Sequence, residues 1–198
     1  MVTDTEAAWL EQALKGDDEA YSRLVETYQN PVFNLCYRML GDEAEAEDAA
    51  QEAFWRAYQA LKRYDPNRSF ITWLLSIAAH YCIDQQRKRR FTSFSIDSLE
   101  EDFLPDGGVG PEKAAAQSEQ SQILHQMLTQ MPAPDRAAIV LRYWYDFTDQ
   151  EIADALSLTV PAVKSRLHRA RRALAEQMQQ HIKEPAYAER NPYESSAL

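Results

Sequence analysis

Glycine, cysteine and long apolar runs are scarce in this sequence. Each scarcity argues against certain kinds of protein. The chain of 198 residues contains five glycines and two cysteines. It has no run of about 18 uncharged apolar residues, so a membrane-spanning helix is not expected. Cys36 and Cys82 lie in apolar helical patterns, outside any Cys-x-x-Cys or Cys/His cluster. We expect buried, reduced thiols, with a disulfide or a metal site as the less favoured alternatives.

Strand signals are nearly absent as well, whereas helical periodicity is strong. It runs from about residue 3 to 90 and again from about 111 to 182. The stretch between is rich in Ser, Asp, Gly and Pro, which is typical of a linker. The sequence therefore predicts an all-α protein of two small helical domains joined by a flexible acidic linker, the second domain ending in a helix-turn-helix. The predicted boundaries are 1–90 for the first domain, 91–113 for the linker, 114–182 for the second domain and 183–198 for a disordered tail.

Charge is distributed unevenly around a net value of −10. Basic residues cluster at 87–90 and at 164–172, whereas 91–113 holds six acidic residues and only one basic residue. This pattern indicates contact with nucleic acid at two places and with a basic surface between them. The acidic N-terminus differs from a secretory signal, which begins with basic and then apolar residues, so we expect a cytoplasmic protein.

The segment FTDQEIADALSLTVPAVKSRLHRARRAL carries the strongest local signal. Thr148 and Glu151 form a capping box that begins a helix. A turn over 157–159 separates this helix from a second one that begins near Val160. At 100° per residue, one stripe of the second helix is apolar and should be buried. It consists of Val163, Leu167, Ala170 and Leu174.

The opposite stripe and its flanks suit a recognition helix in the DNA major groove, where small and bidentate donors face the bases and cations face the phosphates. The alternative is a solvated basic face on an ordinary helical hairpin. DNA binding is favoured because the cap, the short turn and the basic face coincide. The residues of this DNA-facing set are Pro161, Lys164, Ser165, Arg166, His168, Arg169 and Arg172.

The predicted helix over 47–61 has two opposite faces. Its apolar face is formed by Ala50, Phe54, Ala57 and Leu61. The other face, here named the acidic Trp55 face, consists of Asp48, Gln51, Glu52 and Trp55. A tryptophan among acids is typical of an interface anchor for a basic partner. The alternative is a Trp55 ring that packs on a neighbouring loop.

The predicted helix over 69–90 follows a polar loop over 63–68 and ends in four consecutive cations. The loop and one flank of the helix, here named the aromatic–basic surface, interleave aromatic and basic side chains. Such a surface can stack unpaired bases and follow their phosphates. The alternatives are core packing for Trp73 and interaction of the cations with the helix dipole. The residues assigned to this surface are Tyr64, Asn67, Arg68, Trp73, His80, Arg87 and Lys88.

Three blocks together resemble the extracytoplasmic-function group of bacterial sigma factors: DAAQEAFWRAYQALKRYDP, SFITWLLSIAAHYCIDQQRKRR and MPAPDRAAIVLRYWYDFTDQEIADALSLTVPAVKSRLHRARRAL. The resemblance implies that the acidic Trp55 face docks on core RNA polymerase and that the aromatic–basic surface captures flipped bases of the −10 promoter element. It also implies that the recognition helix reads the −35 element and that the linker lies in the RNA path of the polymerase.

The same resemblance implies a monomer when free that promotes DNA melting without catalysis, cofactor or metal, and that is restrained by an anti-sigma factor. Five positions depart from the usual family pattern. His80 stands where Asn is common, Ser76 and Ala79 stand at positions that are often basic, and Ser157 and Pro161 replace frequent glycines. These departures bear on the promoter sequence that is recognised.

Two other classes of protein fit the sequence less well. An autonomous dimeric helix-turn-helix regulator would need a dimer seam, which the sequence does not display, and would leave the acidic Trp55 face unexplained. A helical hydrolase using the carboxylates of 42–52 is disfavoured, because those acids are spread around the helix and none pairs with a histidine at ligand spacing.

Overall fold

The structure, a computed structural model, describes residues 4–66, 68–95 and 122–188. Within these ranges helix is the only regular secondary structure, which confirms the all-α class. The helices are α1 (Asp4–Leu14), α2 (Asp18–Leu40), α3 (Glu43–Ala60), α4 (Phe70–Ser95), α5 (122–129), α6 (Ala133–Trp144), α7 (Asp149–Ala155) and α8 (Val160–Ala188). A 3-10 turn, Leu61–Arg63, follows α3.

The ends of α2 and the start of α3 are fixed by local side-chain chemistry. The Asp17 carboxylate accepts hydrogen bonds from the first free backbone N–H groups of α2, and Asp42 does the same for α3 at 2.8 Å from the Glu45 nitrogen. Between them Gly41 adopts φ 93°, a left-handed conformation that closes the C-terminus of α2. These caps set the sharp corner between the two helices.

The first domain is built around α2, which packs against α1, α3 and α4. Leu24, Leu35, Phe70 and Leu74 are fully buried in its core. The predicted apolar face of α3 is buried as well, and Phe54 is fixed further because its carbonyl accepts a hydrogen bond of 2.6 Å from the buried Tyr21 hydroxyl.

Both cysteines lie in the core of the first domain. Cys36 on α2 and Cys82 on α4 are fully buried, as predicted. A hydrogen bond with Cys36 and burial together raise the pKa of the Cys82 thiol. The thiols act as small apolar groups at the contact of the two helices.

The second domain is organised around α6, which packs against α7 and α8. Ile139 and Leu141 of α6, Ile152 of α7 and Val163 of α8 form its fully buried centre. Four helices were expected in this domain, and α5 to α8 supply them within the described residues.

The two domains pack against each other, and their cores merge into one apolar cluster. The buried Arg136 of α6 donates hydrogen bonds to the carbonyls of Met39, Thr129 and Met131, so that it joins the end of α2 to the α5–α6 connection. The sequence did not predict how the domains sit relative to each other.

A second group of contacts joins α2 to the end of α6. The Tyr145 hydroxyl donates to the Pro31 carbonyl at 2.6 Å, and the Arg38 guanidinium lies 5.0 Å from the centre of the Trp144 ring. Burial raises the pKa of Tyr145, so its hydroxyl remains protonated and able to donate. The first domain thus contacts the second through both ends of α6.

Two helices extend past predicted domain boundaries. Helix α4 continues to Ser95, five residues beyond the predicted domain end at 90, and α8 continues to Ala188, six residues into the predicted tail. An existing helix extends readily, because each added residue gains a hydrogen bond without a new nucleus. The rest of the predicted linker, from 96 onward, and the tail from 189 onward lie outside the described residues.

Candidate nucleic-acid and protein interfaces

The acidic Trp55 face lies on the outer side of α3, opposite the buried alanines of that helix. Trp55 is 56% exposed, and Asp48 and Gln51 are exposed beside it. Glu52 forms an ion pair of 2.7 Å with Arg56, so part of its charge is neutralised within the helix. The predicted interface set is therefore presented together to solvent, and Trp55 does not pack into the core.

A groove beside this face adds residues that sequence reasoning missed. Tyr58 lies three positions after Trp55, with ring centres 6.1 Å apart, and its hydroxyl donates to Asp18 of α2 at 2.6 Å. This hydrogen bond raises the pKa of Tyr58 and keeps its hydroxyl protonated. The three-residue spacing of Trp55 and Tyr58, which places both on one helical face, was the feature of the sequence that could have identified Tyr58. The groove is lined by Asp18, Tyr21, Ser22, Gln51, Phe54, Trp55 and Tyr58.

The aromatic–basic surface is built on a small aromatic cluster at the start of α4. The Trp73 ring lies 5.2 Å from Tyr64 and 5.7 Å from Phe70, centre to centre. Phe70 is fully buried, as favoured from the sequence, whereas Trp73 is half-buried and keeps one side open. Trp73 therefore combines core packing with a face that a base can approach.

Tyr64 was assigned from the sequence to the surface that stacks bases, but the structure places it differently. It is 7% exposed, and its hydroxyl donates to the Arg68 carbonyl. Its ring is therefore packed inside the cluster, where it positions the loop that carries the exposed Arg68. Asn67 lies outside the described residues.

The remaining members of the surface follow along α4. His80 is exposed and its Nδ1 lies 2.9 Å from the Ser76 carbonyl. Arg87 is exposed and forms an ion pair of 3.0 Å with Asp84, and Lys88 is exposed beside it. The surface thus extends from the aromatic cluster to Arg87 and Lys88 further along α4, as a strip of aromatic and then cationic side chains.

The recognition helix begins at Val160 and buries the stripe predicted from its periodicity. Val163, Leu167 and Ala170 are buried and Leu174 is half-buried. The predicted DNA-facing side chains point outward, with Arg166 alone half-buried. The exposed members are Pro161, Lys164, Ser165, His168, Arg169 and Arg172.

Two arginines of this helix are held by one buried carboxylate. Asp135, at the start of α6, lies 2.8 Å from Arg166 and 3.0 Å from Arg169, although its side chain is only 7% exposed. Burial acts to raise the pKa of Asp135, but hydrogen bonds and charges from Arg169 and Arg166 outweigh it and hold that pKa below its usual value. Sequence reasoning missed Asp135, which is remote from the recognition helix along the chain.

The helix before the recognition helix is capped as expected. Thr148 accepts from the Glu151 nitrogen at 3.2 Å, and the Glu151 carboxylate accepts from the Thr148 nitrogen at 2.8 Å. The following turn places Ser157 at φ 54°, the left-handed region that favours glycine. The cap and the turn fix the angle between α7 and α8.

The second domain packs beside one end of the aromatic–basic surface. Helix α7 packs against α4 beside Trp73, and Asp154 of α7 lies 4.0 Å from Arg68. A cavity of about 230 Å³ remains between the two helices. Second-domain residues thus lie beside Arg68 and Trp73, at one end of the first domain's candidate DNA surface.

The described ranges hold no group of three or more His, Cys, Asp or Glu side chains placed to bind a metal ion. None of the helices in those ranges has the length and apolar character that a membrane crossing requires.

Family models match both halves of the chain. The model of sigma-70 region 2 matches residues 24–92, and that of sigma-70 region 4 matches residues 121–174. The first match contains the acidic Trp55 face and the aromatic–basic surface, and the second contains the recognition helix.

Similar proteins span almost the whole chain. The ECF RNA polymerase sigma factor SigW of Bacillus subtilis is 38% identical over 178 residues, which is 85% of this chain and 94% of SigW. The ECF RNA polymerase sigma-E factor of Escherichia coli K12 is 32% identical over 188 residues, covering 90% of this chain and 97% of that protein.

Solved structures show the same arrangement of helices. CnrH, in complex with the cytosolic domain of CnrY, matches with a TM-score of 0.66 and 25% identity over 89% of this chain and 99% of that one. The sigma factor RpoE of Bartonella quintana, in complex with the anti-sigma factor NepR, matches in fold with a TM-score of 0.64 and 19% identity over 80% of this chain and 96% of that one.

Proposed function

The chain belongs to the extracytoplasmic-function group of RNA polymerase sigma factors, and on this basis we propose which of its surfaces bind the polymerase and which bind the promoter. The observation that carries the proposal is the coincidence of each sigma-70 region with an exposed surface of suitable chemistry: an acidic face with Trp55 and an aromatic–basic strip in region 2, and a basic helix in region 4.

The acidic Trp55 face is assigned to core RNA polymerase. Exposed aromatic rings that are rimmed by polar groups are typical anchors of protein interfaces. Trp55 supplies the apolar area, and Asp48 supplies a charge that suits a basic partner. Tyr58, held by Asp18, extends the apolar area along the groove beside Trp55.

The aromatic–basic surface is assigned to the −10 element. Trp73 offers a ring face for an extruded base, while Arg68, Arg87 and Lys88 offer positive charge to the backbone. Extrusion of a base costs a few kcal/mol, and stacking on an aromatic side chain returns about 1–3 kcal/mol per base. Binding of the open strand therefore favours melting without ATP, and no catalytic step is assigned to this protein.

The recognition helix is assigned to the −35 element in the major groove. Lys164, Arg169 and Arg172 are exposed cations, and Ser165 and His168 are exposed groups that can hydrogen-bond to base edges. Asp135 holds Arg169 in a fixed orientation, which restricts the guanidinium positions that reach DNA.

The partners proposed are core RNA polymerase, promoter DNA and an anti-sigma factor. Support for the last comes from the similar folds CnrH and RpoE, which were solved with CnrY and with the anti-sigma factor NepR. The proposed location is the cytoplasm, where bacterial polymerase and promoters are found, and the free protein is proposed to be monomeric.

The assignment is tested by run-off transcription with bacterial core polymerase on promoter fragments from the source genome. We expect specific transcripts from the wild type. The double variant Trp55→Ala, Asp48→Ala should lose them together with core binding. Tyr143→Ala is the matched control, because Tyr143 is also 56% exposed but lies in the second domain. If the wild type binds DNA alone as a dimer and does not support initiation, the dimeric regulator is the correct interpretation.

A further inference from the structure

Asp135 and Arg169 form a two-point contact between α6 and the recognition helix. The Nε of Arg169 lies 3.0 Å from Oδ2 of Asp135, and its Nη2 lies 3.1 Å from Oδ1. Two parallel hydrogen bonds fix the plane of a guanidinium as well as its position, which a single bond does not. The Arg169 side chain is 56% exposed, so the fixed group remains open to solvent on the side of the helix that we assign to DNA.

The carboxylate that holds Arg169 is itself held in place. Asp135 lies in the first turn of α6, and its side chain is only 7% exposed. Arg166, with a side chain that is 26% exposed, donates to the same Oδ1 at 2.8 Å and braces the carboxylate. The position of the Arg169 guanidinium is therefore fixed relative to the core of the second domain.

The contact leaves part of the Arg169 guanidinium available for DNA. A guanidinium carries five N–H donors in a flat fork. Asp135 takes the edge formed by Nε and Nη2. The other edge, formed by Nη1 and the second N–H of Nη2, has no partner among the residues that the structure describes. An edge of this shape matches the O6 and N7 acceptors that guanine presents in the major groove.

Arg172, on the same helix, lacks such a brace. Its ion pair with Glu176 measures 2.7 Å but joins two side chains that are 74% and 55% exposed. Surface pairs between long side chains are weak, because both partners keep most of their freedom to move. Arg172 can therefore follow a phosphate, but it is not held firmly enough to choose between bases.

We propose that Asp135 is a specificity-determining residue for the −35 element: without contacting DNA itself, it holds Arg169 so that the free edge of the guanidinium reads one guanine. Asp135 is thus a positioning residue that acts through Arg169. This inference rests on the proposed assignment of the recognition helix to the −35 element. Without the brace, the arginine would lose side-chain freedom on binding and could turn to a neighbouring phosphate, which carries no sequence information.

Asp135→Asn tests the inference in the holoenzyme. The probes are a promoter fragment that gives run-off transcripts and a set of fragments in which each base pair of its −35 element is replaced in turn. Competition binding gives, for each replacement, the ratio of apparent Kd between the replaced and the original fragment. Since immobilising one flexible side chain changes a binding constant by about twofold to tenfold, we expect this ratio to fall by about fivefold at one G·C pair. Ratios at the other base pairs should be retained, because the helix still lies in the groove.

Two further variants separate positioning from charge and from folding. Glu176→Gln is the matched control, because it removes the charge that pairs with Arg172 on the same helix. It should change the affinity for all fragments alike and leave every ratio as in the wild type. Asp135→Glu keeps the charge, and with it the fold, but displaces the carboxylate by one methylene. It should lower the ratio at the same G·C pair as Asp135→Asn and at no other.

Arg169→Lys shows whether Asp135 acts through Arg169. It keeps the positive charge but lacks the fork, so it should lose discrimination at that same G·C pair. Adding Asp135→Asn to Arg169→Lys should then change the ratio no further, because the residue that Asp135 positions is already gone. Circular dichroism at the assay temperature shows that each variant is folded.

Ratios that stay at their wild-type values in Asp135→Asn and Asp135→Glu would overturn the inference, whether the affinity for all fragments rises or falls. A loss spread evenly over the −35 element would also overturn it, since it would show that Asp135 only supports the helix. So would unchanged base preferences in Arg169→Lys. If the wild type gives no specific transcripts, the proposed function fails, whereas specific transcripts with unchanged ratios remove only the role of Asp135.

Discussion

Asp135 ties the recognition helix to α6 through a single side chain. Its carboxylate is buried, and two arginines that are separated from it by about thirty positions, Arg166 and Arg169, converge on it. Charge pairs of this kind are costly to break from one side, because the remaining charges lose their partner. Asp135 also neutralises part of the positive charge of the recognition helix.

We predict that Asp135→Asn destabilises the protein by about 2 kcal/mol at neutral pH, less than for a fully buried pair because Arg169 is exposed. The folded-state pKa of Asp135 is depressed. Its stabilising effect is therefore present above the unfolded-state pKa of about 3.9 and is lost as pH falls through the folded-state value. Urea unfolding of both proteins between neutral pH and acid should show the difference closing at low pH.

Asp149→Asn is the control for this prediction. Asp149 lies 4.0 Å from Arg142 in a more exposed pair, so its removal should cost less than about 1 kcal/mol. An equal loss of unfolding free energy in the two variants would contradict the conclusion that the ion pairs of Asp135 stabilise the protein more than an exposed pair does.

Ser157 supports a second prediction for a single position. It adopts φ 54° in the turn before the recognition helix. Backbone strain destabilises a non-glycine residue in this conformation by about 1 kcal/mol. Ser157→Gly should therefore raise the melting temperature measured by circular dichroism, even though glycine is more flexible when unfolded. Ser165→Gly, in the interior of α8, should lower it. A loss of stability in Ser157→Gly would show that the turn is not strained.

Helix α7 depends on its N-terminal cap more than the longer helices do, because it has only seven residues. Thr148→Ala removes the hydroxyl that accepts from the Glu151 nitrogen, and should cost about 1 kcal/mol. Thermal unfolding measures the loss. Thr27→Ala serves as comparison, since Thr27 lies inside α2 with its hydroxyl on the Arg23 carbonyl and should be nearly neutral. Equal effects in both would argue against the cap.

The helices and their buried faces were the part of the structure that the sequence predicted best. The buried stripe of α8 follows from its period, as do the two faces of α3, because local spacing alone decides which side of a helix is apolar. The capping box at Thr148 was also readable, since its partners are three residues apart. The extensions of α4 and α8 were not, because the sequence beyond 90 and 182 has no periodic pattern.

Contacts between distant residues could not be derived from the sequence. The part of Tyr64 as a buried positioning ring, the anchoring of Arg166 by Asp135 and the hydrogen bond from Tyr58 to Asp18 all depend on the packing of separate helices. Most described members of the candidate surfaces are exposed, but the ion pairs that hold some of them could be found only from the tertiary structure.

At the scale of the whole molecule, the apolar cores of the two domains form one continuous cluster. Arg136 lies at the centre of this junction. It is 4% exposed, and burial lowers its pKa to about 10. Its charge is compensated by backbone carbonyls from both domains, so its loss would leave buried acceptors unsatisfied on both sides.

We predict that the free wild-type protein unfolds in one cooperative transition and that Arg136→Ala separates it into two. The substitution should cost about 2–3 kcal/mol, because buried carbonyls lose their donor. Urea unfolding followed by circular dichroism and by amide hydrogen exchange in each domain provides the measurement. Arg142→Ala, which alters an exposed arginine of the same helix, should retain a single transition. Two transitions in the wild type would show that the domains are independent.

The stacking of Arg38 on Trp144 provides an optical signal of domain separation. The guanidinium belongs to the first domain and the indole to the second, so parting of the domains would leave the indole in contact with water. The fluorescence of Trp144 should then shift to longer wavelength, and with Trp9, Trp55 and Trp73 replaced by phenylalanine it would be the sole indole emitter. The free protein thus contains its own label, and separation of its two domains during unfolding could be followed in real time without attaching a dye.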